Sequence, residues 1–210
     1  MKAFIYTGGS IFPENITEKV KAGDLKIAAD GGYNNALRLG VKVDILLGDF
    51  DSIGEYKTDE DVEIIKVPAE KDFTDTQMAV ETAIARGADE IVIIGGLSGR
   101  LDHTLSLMGI LEDFTELGVH AIALSGNNRI RYIKSTSTLI PRSGYKYLSL
   151  IAADKKVRGV SAEGCKYPLK NATLTTRLQF AVSNEIVENC ALISVKRGGL
   201  FIVESRDSAR

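Results

Sequence analysis

The amino-acid sequence predicts an α/β fold in two parts: an N-terminal parallel-sheet domain over residues 1–126 and a small all-β sandwich domain over residues 135–210. Three observations carry the prediction. Up to Gly126, short apolar runs bounded by glycine alternate with segments of helical periodicity. Beyond it, short strand-like runs follow one another with turn signals and no long helical pattern between them. No internal repeat, low-complexity tract or long linker separates the two textures.

In chain order, the first part reads as the strand KAFIYTG, a helix from about Glu14, the strand LKIAAD and the helical pattern NNALRLG. The strands DILLGDF and VEIIKVP follow, then a helix through TQMAVETAIARG, the strand EIVIIGG, a helix through LSLMGILEDFTELG and the strand HAIALSG. Near-continuous apolar runs suit strands buried on both faces, as in a parallel, Rossmann-like sheet. Right-handed crossovers then bring the loop after every strand to one edge, where open α/β sheets bind ligands. In the second part, NRIRYIK, YKYLSLIA, KVRGVSA, ATLTTR, QFAVSNEIV and ALISVKR are strand candidates, and FIVES closes a hairpin across Arg197, Gly198 and Gly199.

Composition narrows the function. With 44% hydrophobic and 26% charged residues, usage is that of an ordinary globular protein. A net charge of -2, with lysine and arginine scattered, argues against nucleic acid as a partner. No apolar run approaches the roughly 20 residues of a membrane helix, and the opening MKAFIYTGGS reads as a strand rather than a signal-peptide core. The two cysteines, Cys165 and Cys190, have neither CxxC nor zinc-ligand spacing, so inert reduced thiols and a cytoplasmic setting are expected.

Aspartate collects at the predicted strand ends: Asp30, then Asp49 and Asp51, then Asp72 and Asp75, then Asp102. Asp49 and Asp51, two apart in an extended segment, share a side, and a hard cation such as Mg²⁺ relieves their repulsion. The alternative is a polar turn in which Asp51 or Ser52 caps a short helix. In KDFTDTQMAV, Asp72 and Asp75 share a helix face beside the positive charge of Lys71. The competing reading is a capping box of Thr74 and Gln77 with acids favoured by the helix dipole. GGLSGRLDH pairs a glycine turn (Gly95, Gly96, Gly99) with a helix start, an anion site in which Arg100 bridges phosphate oxygens. Against that stands a tight turn with Arg100 on a solvated face and His103 in a structural role. Ser183 and Asn184 could hydrogen-bond a heterocycle, or serve a turn between strands. Lys166, Tyr167 and Pro168 read as strand-edge residues.

Taken in order, ADGG, GDFDS, KDFTDTQMA, GGLSGRLDH, EGCKYPL and SNE resemble the thiamine pyrophosphokinase family over nearly the whole chain. The resemblance implies a homodimer with active sites at the subunit interface, an α/β domain binding ATP and a β-sandwich binding thiamine. It further implies that Asp49, Asp51 and Asp75 hold Mg²⁺ and orient ATP phosphates, that Arg100 and Asp102 line the phosphate and hydroxyl site, and that Asp30, Lys71, Asp72 and Thr74 complete the ATP side. Ser183 and Asn184 would then meet thiamine, from the partner subunit. The chain has no tryptophan, so any aromatic packing on thiamine falls to tyrosine or phenylalanine. The reaction implied is in-line attack of the thiamine hydroxyl on the β-phosphorus of ATP with AMP leaving, and Asp102 or Asp72 as general base. Two other readings remain open at this point: a nucleotide pyrophosphohydrolase using water, and a non-catalytic module that binds nucleotide and a second ligand.

Overall fold

The computed structural model describes residues 1–49, 61–68 and 72–207, and the chain divides into two units, Met1–Gly126 and Asn127–Arg210. The first is a parallel sheet with helices. Its strands are β1 (Lys2–Tyr6), β2 (Leu25–Ala29), β3 (Ile45–Gly48), β4 (Glu63–Lys66), β5 (Glu90–Ile94) and β6 (His120–Leu124). Its helices are α1 (Gly32–Arg38), α2 (Asp75–Ala85) and α3 (Leu101–Glu116). The order β4-β3-β2-β1-β5-β6 has every neighbour parallel. β1, β3 and β5 are buried almost throughout, as a sheet covered on both faces requires. β4 closes one edge with Glu63 and Lys66 exposed, charges that blunt an unpaired edge.

Strand order moves away from β1 in both directions, so right-handed crossovers place α1 on one face and α2 and α3 on the other. Tyr33 and Ala36 of α1 accordingly pack with Phe4, Tyr6, Ala28, Leu46 and Val92, together with Ile11 and Ile16. The helix expected from about Glu14 does not form. A 3-10 turn, Pro13–Asn15, is followed by extended backbone at Ile16 and no further helix before β2. Ile16 is buried and Val20 packs against the same cluster, so two β-branched side chains cover the sheet as a strap in which helical backbone would gain little.

The start of α1 crosses close over β1. A Cβ on Gly32 would lie 2.0 Å from the Tyr6 carbonyl oxygen, a backbone atom that cannot step aside. Gly32→Ala is therefore expected to cost about 3 kcal/mol, at the upper end for overpacking, as read by urea denaturation.

The second unit is a sandwich. Its strands are β7 (Asn128–Lys134), β8 (Ser137–Pro141), β9 (Tyr147–Ala152), β10 (Lys156–Glu163), β11 (Leu169–Thr175), β12 (Cys190–Ser194) and β13 (Gly199–Ser205). β13 pairs antiparallel with β7 and β9, and the other sheet runs β11-β10-β12-β8. Alternate residues of both sheets meet in one core, with Leu148, Leu150 and Ile202 from one and Ile140, Val160 and Ile193 from the other. Each such side chain contributes roughly 1.5–3 kcal/mol on burial.

Two expected elements differ. QFAVSNEIV is not a strand: it touches its neighbours through isolated bridges, Leu148 with Asn184 and Cys165 with Ile186, and Ser183 sits in the left-handed region at φ 57°, which interrupts an extended run. Nor does FIVES form a hairpin with ALISVKR. Both edges of β12 are occupied, by β10 and β8, so the Arg197-Gly198-Gly199 turn carries the chain from one sheet to the other. Gly199 N anchors that passage by donating to Asp154 Oδ2 at 2.9 Å. The thiols are both free. Cys165 lies in the core, where burial pushes its pKa up, while Cys190 belongs to the partly exposed set of β12 with Leu192 and Ser194.

Between β7 and β13 the second unit buries a charge cluster. Arg129 stands directly opposite Glu204 and binds it twice, Nε to Oε2 and Nη2 to Oε1, each at 2.7 Å. Arg131 Nη2 reaches Oε2 at 3.2 Å, Ser143 Oγ donates to Oε1 at 3.1 Å, and the Arg129 and Arg206 guanidinium groups both lie over the Tyr145 ring, at 5.0 and 4.7 Å from its centre.

Candidate active site

Because the strand order reverses between β1 and β5, their carboxyl ends leave a crevice, the place where ligands bind in sheets of this kind. The structure has a cleft there of ≈ 240 Å³. Thr7, Gly8 and Gly9, which follow β1, form one wall; Gly96, Ser98 and Gly99, which follow β5, form another. Thr74 and Thr76 come from the start of α2, and Arg100, His103 and Leu107 from the start of α3. Hydrogen bonds tie these walls together: the Thr7 and Thr76 hydroxyls are 2.8 Å apart, Ser98 Oγ accepts from Ser10 N at 2.7 Å, and Thr104 Oγ1 donates to Gly96 O at 3.0 Å.

Of the residues singled out in the sequence, Thr74, Gly96, Gly99, Arg100 and His103 line this cleft. Thr74 is also the N-cap of α2, its hydroxyl accepting from Gln77 N at 3.2 Å, and Asp75 follows half-buried in the first turn. The helix start therefore carries the cap and also forms part of the cleft wall. Asp30 ends β2 with its backbone in the left-handed region, φ 45°, held by Asp30 N donating to Leu47 O at 2.7 Å. Asp49 follows β3, half-buried, and Asp72 is exposed just before α2. Asp30, Asp49, Asp75 and Asp102 thus all lie on the carboxyl edge of the sheet. Among the described residues no three acidic, histidine or cysteine side chains converge. Asp51 and Lys71 lie outside the described residues.

Arg100 and Asp102 form a two-pronged ion pair at the start of α3, Nη2 to Oδ2 at 2.5 Å and Nε to Oδ1 at 3.2 Å. The Arg100 guanidinium holds the Asp102 carboxyl below the usual carboxylate range, with the His103 N–H adding to the effect at 3.1 Å. Both side chains are well exposed, so water screens the pair and an incoming anion can take the guanidinium at little cost.

Ser183 and Asn184 belong to the second unit. Ser183 is exposed, with its N–H donating to Ser149 Oγ at 3.0 Å. The Asn184 amide is bound to the Tyr167 backbone at both ends: Nδ2 donates to Tyr167 O at 2.7 Å and Oδ1 accepts from Tyr167 N at 2.9 Å. This turn lies beside a shallow hollow of ≈ 90 Å³ whose lining includes Leu148, Tyr167, Phe180 and Asn184. Aromatic surface without tryptophan is therefore present next to SNE. Thr7, Thr76, Ser98 and the buried Asn35 were not singled out in the sequence. The glycine pair in YTGGS was the one available signal, and it read only as the end of a strand.

The chain matches two family models, "Thiamin pyrophosphokinase, catalytic domain" over residues 16–122 and "Thiamin pyrophosphokinase, vitamin B1 binding domain" over residues 136–200. It is 29% identical to the thiamine pyrophosphokinase of Bacillus subtilis, covering 87% of this chain and 88% of that one. It is 26% identical to thiamin pyrophosphokinase 1 of Caenorhabditis elegans, covering 91% and 82%. The crystal structure of the thiamine pyrophosphokinase from Bacillus subtilis superimposes with a TM-score of 0.87 at 25% identity, covering 99% of this chain and all of the other. A catalytic-domain model that spans half of the chain, on a sheet whose crevice carries Thr74 and Arg100, makes this chain a member of the thiamin pyrophosphokinase family.

Proposed function

We propose that this chain transfers a pyrophosphoryl group from ATP to the hydroxyl of thiamine, giving thiamine diphosphate and AMP. The observation that carries the reading is the pair of family models, one catalytic and one for vitamin B1 binding, in the same order as the α/β and β-sandwich units. The cleft supports it with hydroxyls, glycine backbone and one guanidinium, the groups that bind phosphate by hydrogen bonds.

Asp49 and Asp75 offer hard oxygen donors on the sheet's carboxyl edge, a donor chemistry that fits Mg²⁺, and with Asp51 they would hold it. When bound, Mg²⁺ supplies charge neutralisation for the ATP phosphates. Arg100 bridges phosphate oxygens with its planar fork, exchanging the Asp102 carboxylate for them. Asp102, released from that pair, then recovers basicity and accepts the thiamine hydroxyl proton, with Asp72 as the other candidate. Asp30, Lys71 and Thr74 complete the nucleotide side. Thiamine is held by Ser183 and Asn184 with aromatic packing from Tyr167 and Phe180, in a cytoplasmic homodimer whose subunits share the site.

The test is chromatography of products from ATP, Mg²⁺ and thiamine. Equimolar thiamine diphosphate and AMP are expected; AMP released at the same rate without thiamine would favour hydrolysis instead. Arg100→Lys is expected to lower kcat/KM by about ten- to a hundredfold, because an ammonium cannot span two phosphate oxygens. Unchanged kcat/KM in that variant would make Arg100 a surface charge.

A further inference from the structure

The turn after β1, residues 7–10, has all of its carbonyl groups tied back to the protein. Thr7 O and Gly9 O both accept from Asn35 Nδ2, at 2.8 and 2.9 Å. Gly8 O accepts from Gly96 N at 2.8 Å, and Ser10 O from Ser98 Oγ at 3.2 Å. The amides divide differently. Thr7 N donates to Ile94 O and Ser10 N to Ser98 Oγ, whereas the N–H groups of Gly8 and Gly9 donate to no group among the described residues.

Both glycines line the cleft, and a Cβ on Gly8 would meet open space. Gly9 is left-handed at φ 91°, and successive unpaired N–H groups in a turn of this kind are the elements of an anion-binding concavity. A carbonyl turned toward the cleft would repel an anion. With every carbonyl bound elsewhere, the wall presents donors only. Asn35, 4% exposed, ties down two of the four by itself.

We propose that the Gly8 and Gly9 amides form a cradle for the polyphosphate of a nucleoside triphosphate, and that Asn35 is its positioning residue; the choice of ligand rests on the ATP reading above. Calorimetry with inorganic tripolyphosphate and Mg²⁺, beside steady-state kinetics, tests it on the wild type, Asn35→Asp and Ser98→Ala. Asn35→Asp keeps the size of the side chain and points lone pairs at two carbonyl oxygens. Tripolyphosphate affinity should fall about tenfold or more and KM for ATP should rise in parallel, with KM for thiamine within about twofold of wild type. Ser98→Ala releases only the Ser10 carbonyl, and a loss of about threefold is expected; it decides the matter if Asn35→Asp does not fold.

Unchanged tripolyphosphate affinity in a folded variant overturns the cradle, as does a fall in kcat with that affinity and both KM values unchanged, the mark of a purely structural role. A wild type that makes thiamine diphosphate but binds no tripolyphosphate sinks the cradle and spares the activity. One that binds tripolyphosphate through Asn35 but makes no thiamine diphosphate does the reverse.

Discussion

Asp75→Asn is expected to lower turnover by about a thousandfold or more while the chain stays folded. The side chain is half-buried in the first turn of α2, immediately after the Thr74 cap, on the edge of the sheet where Asp49 also lies. Asparagine keeps the volume and one oxygen but removes the negative charge with which, on the proposed reading, Asp75 would hold the hard cation that neutralises the ATP phosphates. The cost to folding is small by comparison. A carboxylate near a helix N-terminus contributes about 0.3–1 kcal/mol, and the hydrogen bond from Gln77 N to Thr74 Oγ1 and the buried face of Ala79, Val80 and Ala83 do not depend on it. Single-turnover kinetics with ATP, Mg²⁺ and thiamine, beside a melting curve, separates the two effects. Turnover within a few-fold of wild type would remove Asp75 from the reaction.

Glu204→Ala is expected to destabilise the chain by about 3–5 kcal/mol, measured by urea denaturation. The carboxylate is 2% exposed and its main partner, Arg129, 8%. Removing it takes away a carboxylate that the Arg129 and Arg131 guanidinium groups both bind. The substitution also leaves a void between β7 and β13. Added salt should change this loss little, since a buried pair is poorly screened. The exposed Arg86–Glu63 pair at 2.7 Å should by contrast contribute little, and less still in high salt. A loss below about 1 kcal/mol for Glu204→Ala would mean that water reaches the guanidinium groups once the carboxylate is gone.

Local signals were read correctly where short-range physics decides the outcome. Thr74 and Gln77 sit three apart and do form the cap. The runs FIY, ILL and IVII are buried on both faces as their composition demands. The same reading failed at Glu14, where Ile16 and Val20 have helical spacing but pack as an extended strap, because a sheet surface already needing cover outweighed weak helix propensity. It failed again at Arg197, where a glycine turn between two strands reads as a hairpin whether or not the first strand still has a free edge.

The sequence by itself determined most of the alternation of strands and helices, the Thr74 cap and the ordered motifs that mark the family, since each is written in residues a few positions apart. Only the tertiary structure decided that Asn35 would reach back 28 residues to hold the β1 turn, and that Arg129 would meet Glu204 across 75. Those pairings depend on strand order and register, which are set by the packing of the whole core rather than by any local preference, and so no window of sequence contains them.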